Sequence, residues 1–399
     1  MGPAASGWVK KMINFACRHY KAAKPCVFNK LDGSECPSCT HADEFKERIL
    51  FIKLDAIGDV LRSASLLPAI IARHERPYIT WLTLQESLEL VGMMRHVDEV
   101  IALSEVGLCR VVSGAWDCVY SLSNDLPSAS IAATAPAKQP PVGYSIADGV
   151  IKPSNAAAHT WLEMAAFDRL KRENTRSYQS HMLAILGARA APVPPPALRI
   201  DDERRDKARQ RISALFDGST RPRVAVNIGA GTRWPKKMLS AGQIHDYARL
   251  LIVRRDVDVV LVGSAAEVKK ADAIMRLGPN DGRIRAALTE SSIADFVALL
   301  DQMDILLCGD TLALHIATAI GLPTVALFGP TSAAEIEDFN GLIVKTRTPL
   351  LECLACYGDC AKHDNCMSLL DLRELVELTI GQMERAARKL RRKSVRKSA

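Results

Sequence analysis

The chain has 399 residues, 48% of them apolar and 24% charged, the composition of an ordinary soluble globular protein with room for two domains and their cores. Its net charge of +7 gathers at the C-terminal end, in Arg385, Arg388, Lys389, Arg391, Arg392, Lys393, Arg396 and Lys397, and leaves the body nearly neutral. No run approaches the roughly 20 apolar residues that span a bilayer, and the opening "MGPAASGWVKKMINFACRHY" has no secretory apolar core of about 7–15 residues, so the cytoplasm is the expected location.

The first convincing strand is "RILFIKL", Arg48 to Leu54, and "IGDVLRSASLLPAIIARH" follows it with helical spacing. Strand then helix is the opening of an α/β layer. The alternation continues through "YITWLTL", "DEVIAL" and "DCVYSL", and the helices "AAHTWLEMAAFDRLK" and "SYQSHMLAILGA" close this half. Pro192, Pro194, Pro195 and Pro196 then exclude a helix or central strand and predict a semi-rigid extended connector. Beyond it "RVAVNIGAG", "DVVLVGS", "MDILLC" and "TVALFG" are four more strands, with helices expected to begin near Ser240, Ala265, Ser291 and Thr311. A long amphipathic helix in "SLLDLRELVELTIGQMERAARKLRRK" ends the chain on a basic face.

The expected organisation is therefore a cysteine-rich N-terminal extension over 1–46, a Rossmann-like domain over 47–190 and a connector over 191–200. A second Rossmann-like domain follows over 201–367, and a helix with a basic tail over 368–399. Two doubly wound α/β lobes would face each other across a crevice, and open parallel sheets bind ligands outside the carboxyl ends of their strands.

Three of those strand ends carry polar residues. In "KLDAIGDVL", Lys53, Asp55 and Asp59 surround a strand-to-helix turn and Gly58 permits a close approach; a helix cap would need one Asp, not two. In "NIGAGTRWPKKM", the glycine turn with Gly231 precedes Arg233, Lys236 and Lys237, so main-chain donors and cations converge where a phosphate fits, or else form a loop beside a solvated charge run. In "CGDTLALHIATAIG", a helix starting at Thr311 offers its bare amides to an anion, Asp310 suits sugar hydroxyls, and His315 reaches the same ligand or is satisfied in the core. Glu267, at a fourth strand end, is a candidate partner for ribose hydroxyls.

Together "ILFIKLDAIGDVLRSASLLPAI", "VNIGAGTRWPKK", "VVLVGSAAE" and "GDTLALHIATAIGLPTVALFGPTS" resemble glycosyltransferase family 9, the ADP-heptose:lipopolysaccharide heptosyltransferases, over roughly residues 48 to 380. The resemblance implies a two-Rossmann glycosyltransferase fold of the B type. It also implies transfer of heptose with inversion from a nucleotide sugar, ADP-heptose, to a lipid-linked saccharide acceptor of the lipopolysaccharide core or a related envelope glycan, without a catalytic metal and without nucleic acid. By the same likeness Asp59 matches the general base, Lys237 the phosphate ligand and Glu267 the ribose contact, while Asp310, Thr311 and His315 fall on the donor pattern D-T-G-x-x-H. Lys53, Asp55 and Gly58 then belong to the acceptor side. Two departures stand out: Leu312 replaces the pattern's Gly, and Lys237-Met238-Leu239-Ser240 replaces Lys-Arg-Trp-Pro. They leave open another nucleotide sugar, or a binding module that has lost catalysis.

Eleven cysteines in a reducing compartment read as thiols or metal ligands rather than a disulfide framework. For Cys17, Cys26, Cys36 and Cys39 the readings are a structural zinc or iron–sulfur centre, or free thiols. A second set, Cys353, Cys356, Cys360 and Cys366, lies in "CLACYGDCAKHDNC". The basic tail and "GWVKKMINF" suit peripheral contact with the anionic inner face of the inner membrane, or a solvated tail.

Overall fold

A strand buried on both faces requires an apolar, β-branched run without polar interruption, and the computed structural model places such runs in the interior of two sheets. It describes residues 13–188, 192–229, 231, 237–278, 282–290, 292–358 and 360–397, with side-chain environments up to residue 389. The chain forms two compact units. The first comprises the chain up to Leu54, with Leu67–Gln85 and His96–Ser154; the second comprises Asp55–Leu66, Glu86–Arg95 and the chain from Asn155 onward.

In the first unit β1 (Glu47–Ile52), β2 (Pro77–Thr83), β3 (Glu99–Ala102), β4 (Cys118–Ser121), β5 (Val142–Ala147) and β6 (Val150–Pro153) lie in the order β3-β2-β1-β4-β5-β6. All pairs are parallel except β5 with β6. Ile49, flanked by Ile79 and Cys118 on the neighbouring strands, begins a run through Ile52 with no solvent exposure. One face buries Leu50, Ile52, Leu82, Val119 and Trp116, whose indole N–H donates to the Val111 carbonyl at 2.9 Å.

The second unit holds β7 (Arg223–Asn227), β8 (Asp258–Ser264), β9 (Ile284–Thr289), β10 (Ile305–Gly309), β11 (Thr324–Leu327) and β12 (Ile343–Thr346), all parallel, in the order β12-β11-β10-β7-β8-β9. The helix Leu372–Lys397 buries Leu375, Val376 and Ile380 in its core, and Tyr247 and Thr379 share a hydrogen bond of 2.7 Å there. The fold class is thus the expected one, two parallel α/β sheets flanked by helices.

Helix starts follow their caps. Ser240 forms a capping box with Gln243 on Ala241–Arg254, and Thr311 is the N-cap of Leu312–Ile320. Near Ala265 a 3-10 turn, Ala265–Glu267, precedes Val268–Arg276. Ser291 lies outside the described residues, and Ser292 caps Ile293–Leu300. The single helix expected over 157–171 is two, Ala156–Ala166 and Asp168–Glu173, because Phe167 between them is extended. Of the connector, residues 192–200 lack helix; Arg95 donates to the Ala197 carbonyl and Arg199 to that of Met93, so this stretch is pinned within the second unit.

Candidate active site

The carboxyl ends of the second unit's strands converge on a cavity of about 610 Å³, within the range of small-ligand pockets. Asn227 and Gly229 come from β7 and its exit, Gly263 from β8, Thr289 from β9, Asp310 from the exit of β10 and Thr331 from that of β11. Ala56 to Asp59 and Arg62 complete the wall, and the helix carrying them, Ile57–Ser63, also belongs to the second unit.

That helix has Ala56 as N-cap, with no side-chain cap bond. Asp59 therefore does not cap it; its carboxylate, about one third exposed, takes a hydrogen bond of 2.7 Å from Arg62 one turn on. Arg62 is 13% exposed, and its guanidinium carbon sits 3.9 Å from the centre of the Tyr178 ring. Burial pulls the Arg62 pKa down, but the acidic groups around it, Asp59 first and then Tyr178, Glu335 and Asp310, together outweigh it and the guanidinium is held above its ordinary value. Its Nε is buried without a hydrogen-bond partner.

Gly58 is required by a close approach: a Cβ there would stand 2.8 Å from Cδ2 of His315. The His315 ring fills that space. Burial pushes its pKa down to about 4, so it is neutral at physiological pH. Its Nε2 lies 3.9 Å from a carboxylate oxygen of Asp310. Lys237 donates to the Asp310 carbonyl at 3.0 Å and reaches its carboxylate at 3.4 Å. Burial pushes the Asp310 carboxyl up, but Lys237, His315, the hydroxyl of Thr331 and Arg62 together more than offset it, leaving it below its ordinary value. The carboxylate of Asp310 and the amine of Lys237, both mostly shielded from solvent, thus line the same cavity wall.

The N-terminus of Leu312–Ile320 carries no side-chain cap. Instead the Thr311 hydroxyl accepts from the Asn227 amide at 3.2 Å, which also holds the Gly229 carbonyl at 2.7 Å. Glu267 folds back to accept from the Ser264 amide at 2.8 Å and hydroxyl at 2.6 Å. Its carboxylate occupies the space where a Cβ at Gly229 would lie, 2.9 Å away, which ties the glycine of the β7 turn to the acid of the β8 turn.

The cavity thus brings together Gly58, Asp59, Gly231, Lys237, Glu267, Asp310, Thr311 and His315. Lys53 and Asp55 are not on its wall: Lys53 is 2% exposed, in the first unit. Arg233 and Lys236 lie outside the described residues. Leu312 does line the cavity, and Met238 is buried with its sulfur accepting the Gly309 N–H at 3.2 Å. Sequence reasoning missed Arg62, Glu335 and Tyr357, all on the wall. Arg62 had a signal, an acid three residues before it on a helix; the other two had none.

Cys17, Cys26, Cys36 and Cys39 form no disulfide and line a second cavity of about 470 Å³ in the first unit, with His19 and His41. Phe28 stacks on His41, ring centres 4.1 Å apart, and Cys26 caps the helix Val27–Asp32, its sulfur accepting the Asn29 N–H at 3.4 Å. Among the described residues no group of three or more His, Cys, Asp or Glu is arranged to hold a metal, and no helix is long and apolar enough to cross a membrane.

Comparison with known proteins agrees with this architecture. The model of glycosyltransferase family 9 (heptosyltransferase) matches residues 109–363. Among solved structures, a family 9 glycosyl transferase from Veillonella parvula superposes with a TM-score of 0.69 at 16% identity, covering 86% of this chain and 98% of the other. The E. coli ADP-heptose lps heptosyltransferase II gives 0.61 at 20% identity, over 85% and 99%. E. coli heptosyltransferase WaaC, solved with ADP, gives 0.56 at 15% identity, over 84% and 99%.

Proposed function

Because the chain belongs to glycosyltransferase family 9, we propose that this glycosyltransferase moves heptose from ADP-heptose, with inversion, onto a saccharide hydroxyl of a lipid-linked envelope acceptor. The observation that carries the proposal is a single cavity holding Asp59 together with Lys237, Asp310 and the uncapped start of Leu312–Ile320. The E. coli structures named above, one titled for ADP-heptose and one solved with ADP, support an ADP-linked donor.

In this reading Asp59 accepts the proton of the acceptor hydroxyl as its oxygen forms the new bond to the anomeric carbon. The bond from that carbon to the diphosphate breaks on the opposite face, and the electron pair leaves with ADP. Charge developing on the departing phosphate meets the Lys237 ammonium and the amides at the start of Leu312–Ile320, which are already in place. Arg62 orients the Asp59 carboxylate through their ion pair. A carboxylate accepts several hydrogen bonds, so Glu267 can cap its own turn and also accept from ribose. The lipid-linked acceptor would be met at an anionic membrane face, where exposed Arg385 and Arg388 on the last helix add attraction.

Another nucleotide sugar is the second reading, and Leu312 on the cavity wall favours it, since a side chain there narrows the space beside the donor. A melting screen separates the two. ADP-heptose at about 100 times its Kd stabilises a folded binder by about 2.7 kcal/mol. A rise in Tm with ADP-heptose supports the first reading; a rise with UDP- or GDP-sugars and none with ADP-heptose overturns it.

A further inference from the structure

Among its described residues the segment between β12 and the last helix has no helix or strand, yet it is fixed to the loop that follows β11. The Ala355 amide donates to the Gly329 carbonyl at 2.8 Å and the Tyr357 amide to that of Pro330 at 2.9 Å. Cys366 packs where a Cβ at Gly329 would stand, 2.3 Å from its sulfur. Ala355 and Tyr357 both hold left-handed backbone, with φ of 57° and 49°, a conformation that costs a residue with a side chain about 1 kcal/mol or more.

That backbone delivers the Tyr357 hydroxyl to the cavity wall. The hydroxyl donates to Glu335 at 2.5 Å and accepts the Ser332 amide at 3.2 Å. The Lys171 ammonium lies 5.3 Å from the ring centre on the same side chain. The turn bearing Glu335 is held as well: Lys345 donates to the carbonyls of Ala333 and Ile336, at 3.0 and 2.9 Å, and Ser177 donates to Glu337 at 2.7 Å. Burial pushes the phenol's pKa up and the charge of Glu335 pushes it further, so Tyr357 remains a donor across the physiological range. Arg62, the ion-pair partner of Asp59, stacks on Tyr178, and the neighbouring Ser177 donates to Glu337 two residues from Glu335, which links the Glu335 turn to the side of the cavity that carries the base.

Resting on the transfer reaction above, we propose that Glu335 is a sugar-binding carboxylate that accepts hydrogen bonds from hydroxyls of the transferred sugar, and that Tyr357 is the residue that positions it. The geometry supplies the reason. The anomeric carbon must lie beside the hydroxyl that Asp59 deprotonates, so the ring hydroxyls of the donor sugar occupy the end of the cavity that Glu335 borders. A carboxylate has about four acceptor sites on its two oxygens, and the Tyr357 hydroxyl is a donor to only one oxygen. Asp310 and Glu335 then read the sugar from two walls, one on the exit of β10 and one on the exit of β11. The cysteine-bearing segment thereby acquires a role in substrate choice: it carries Tyr357.

The test compares ADP with ADP-heptose, which share the nucleotide and differ in the sugar, by calorimetry on the full chain. With Glu335→Gln, ADP affinity should stay within about twofold of the parent while ADP-heptose affinity falls about tenfold or more, as loss of hydrogen bonds to a charged acceptor predicts. Tyr357→Phe, which keeps the ring and removes the donor, should lower ADP-heptose affinity by a few-fold, again sparing ADP. Equal losses for both ligands would make the pair a structural support and overturn the proposal. So would an unchanged ratio in Glu335→Gln, or a KM defect confined to the acceptor. A parent protein that neither binds nor turns over ADP-heptose would instead remove the transfer reaction on which the proposal rests.

Discussion

Replacing Gly58 by Ala sets two effects of known sign against each other. In a helix, Ala is favoured over Gly by about 1 kcal/mol, so at an open site on Ile57–Ser63 the variant would be more stable. Gly58 is not at an open site. The added Cβ would sit 2.8 Å from Cδ2 and 3.4 Å from Nε2 of His315, so the ring must retreat by roughly 0.6 Å to reach ordinary contact. His315 is 7% exposed, so most of its ring is held by protein and its only free side is the cavity that it lines. Overpacking of this kind costs about 1–3 kcal/mol. The clash therefore wins, with a net loss of about 1 kcal/mol. The displaced ring lies next to Asp310, and through it Lys237, so kcat should fall by about tenfold, as a sub-ångström misplacement does. Urea denaturation gives the first quantity and donor turnover the second. A variant with stability and kcat equal to or above the parent's would refute the packing of Gly58 on His315.

Three further outcomes follow from the same contacts. Lys237→Ala removes the cation beside a buried carboxylate and should weaken ADP binding by about tenfold to a hundredfold; calorimetry showing full affinity would take Lys237 out of the phosphate site. His315 and His181 are buried with pKa values pushed down to about 4 from 6.5. The unfolded chain then binds protons between pH 6.5 and 4 that the folded chain does not, so stability present above pH 6.5 is lost as pH falls, by up to roughly 3 kcal/mol for each histidine. Denaturation midpoints at pH 7.5 and 5 measure it, and the drop should shrink in His181→Asn. Gly329→Ala would drive a Cβ to 2.3 Å from the Cys366 sulfur; a loss of about 2 kcal/mol is expected, and a denaturation midpoint identical to the parent's would show that the segment is not seated there.

How much of this could be read in advance depended on how local the signal was. Interior strands such as β1 and β7 announce themselves because both faces are buried and the apolar run is unbroken. The strands left unread are at or near edges. β9 and β12 lie at the sheet's two edges, and Arg285 and Lys345 interrupt their apolar runs. The β5–β6 hairpin did have a signal, Asp148-Gly149 with φ of 52° and 74°, a pair suited to a two-residue turn. At the site, Asp59, Lys237, Glu267 and Asp310 were legible because each lies at a strand end beside a helix start. Glu335 and Tyr357 were not, since their meeting depends on backbone bonds between two irregular segments. Lys53 and Asp55, read as acceptor-side residues, lie close in sequence to Asp59 but are not on this cavity's wall.

Whether Asp59 takes the acceptor's proton decides the account most directly. Asp59→Asn keeps the volume and can still meet Arg62, but it removes the base, so transfer from ADP-heptose to a lipid-linked saccharide should fall by about a hundredfold or more, with the affinity for ADP-heptose within a few-fold of the parent's. Transfer at the parent's rate in this variant, with the parent itself active, would contradict the assignment of Asp59 as the base.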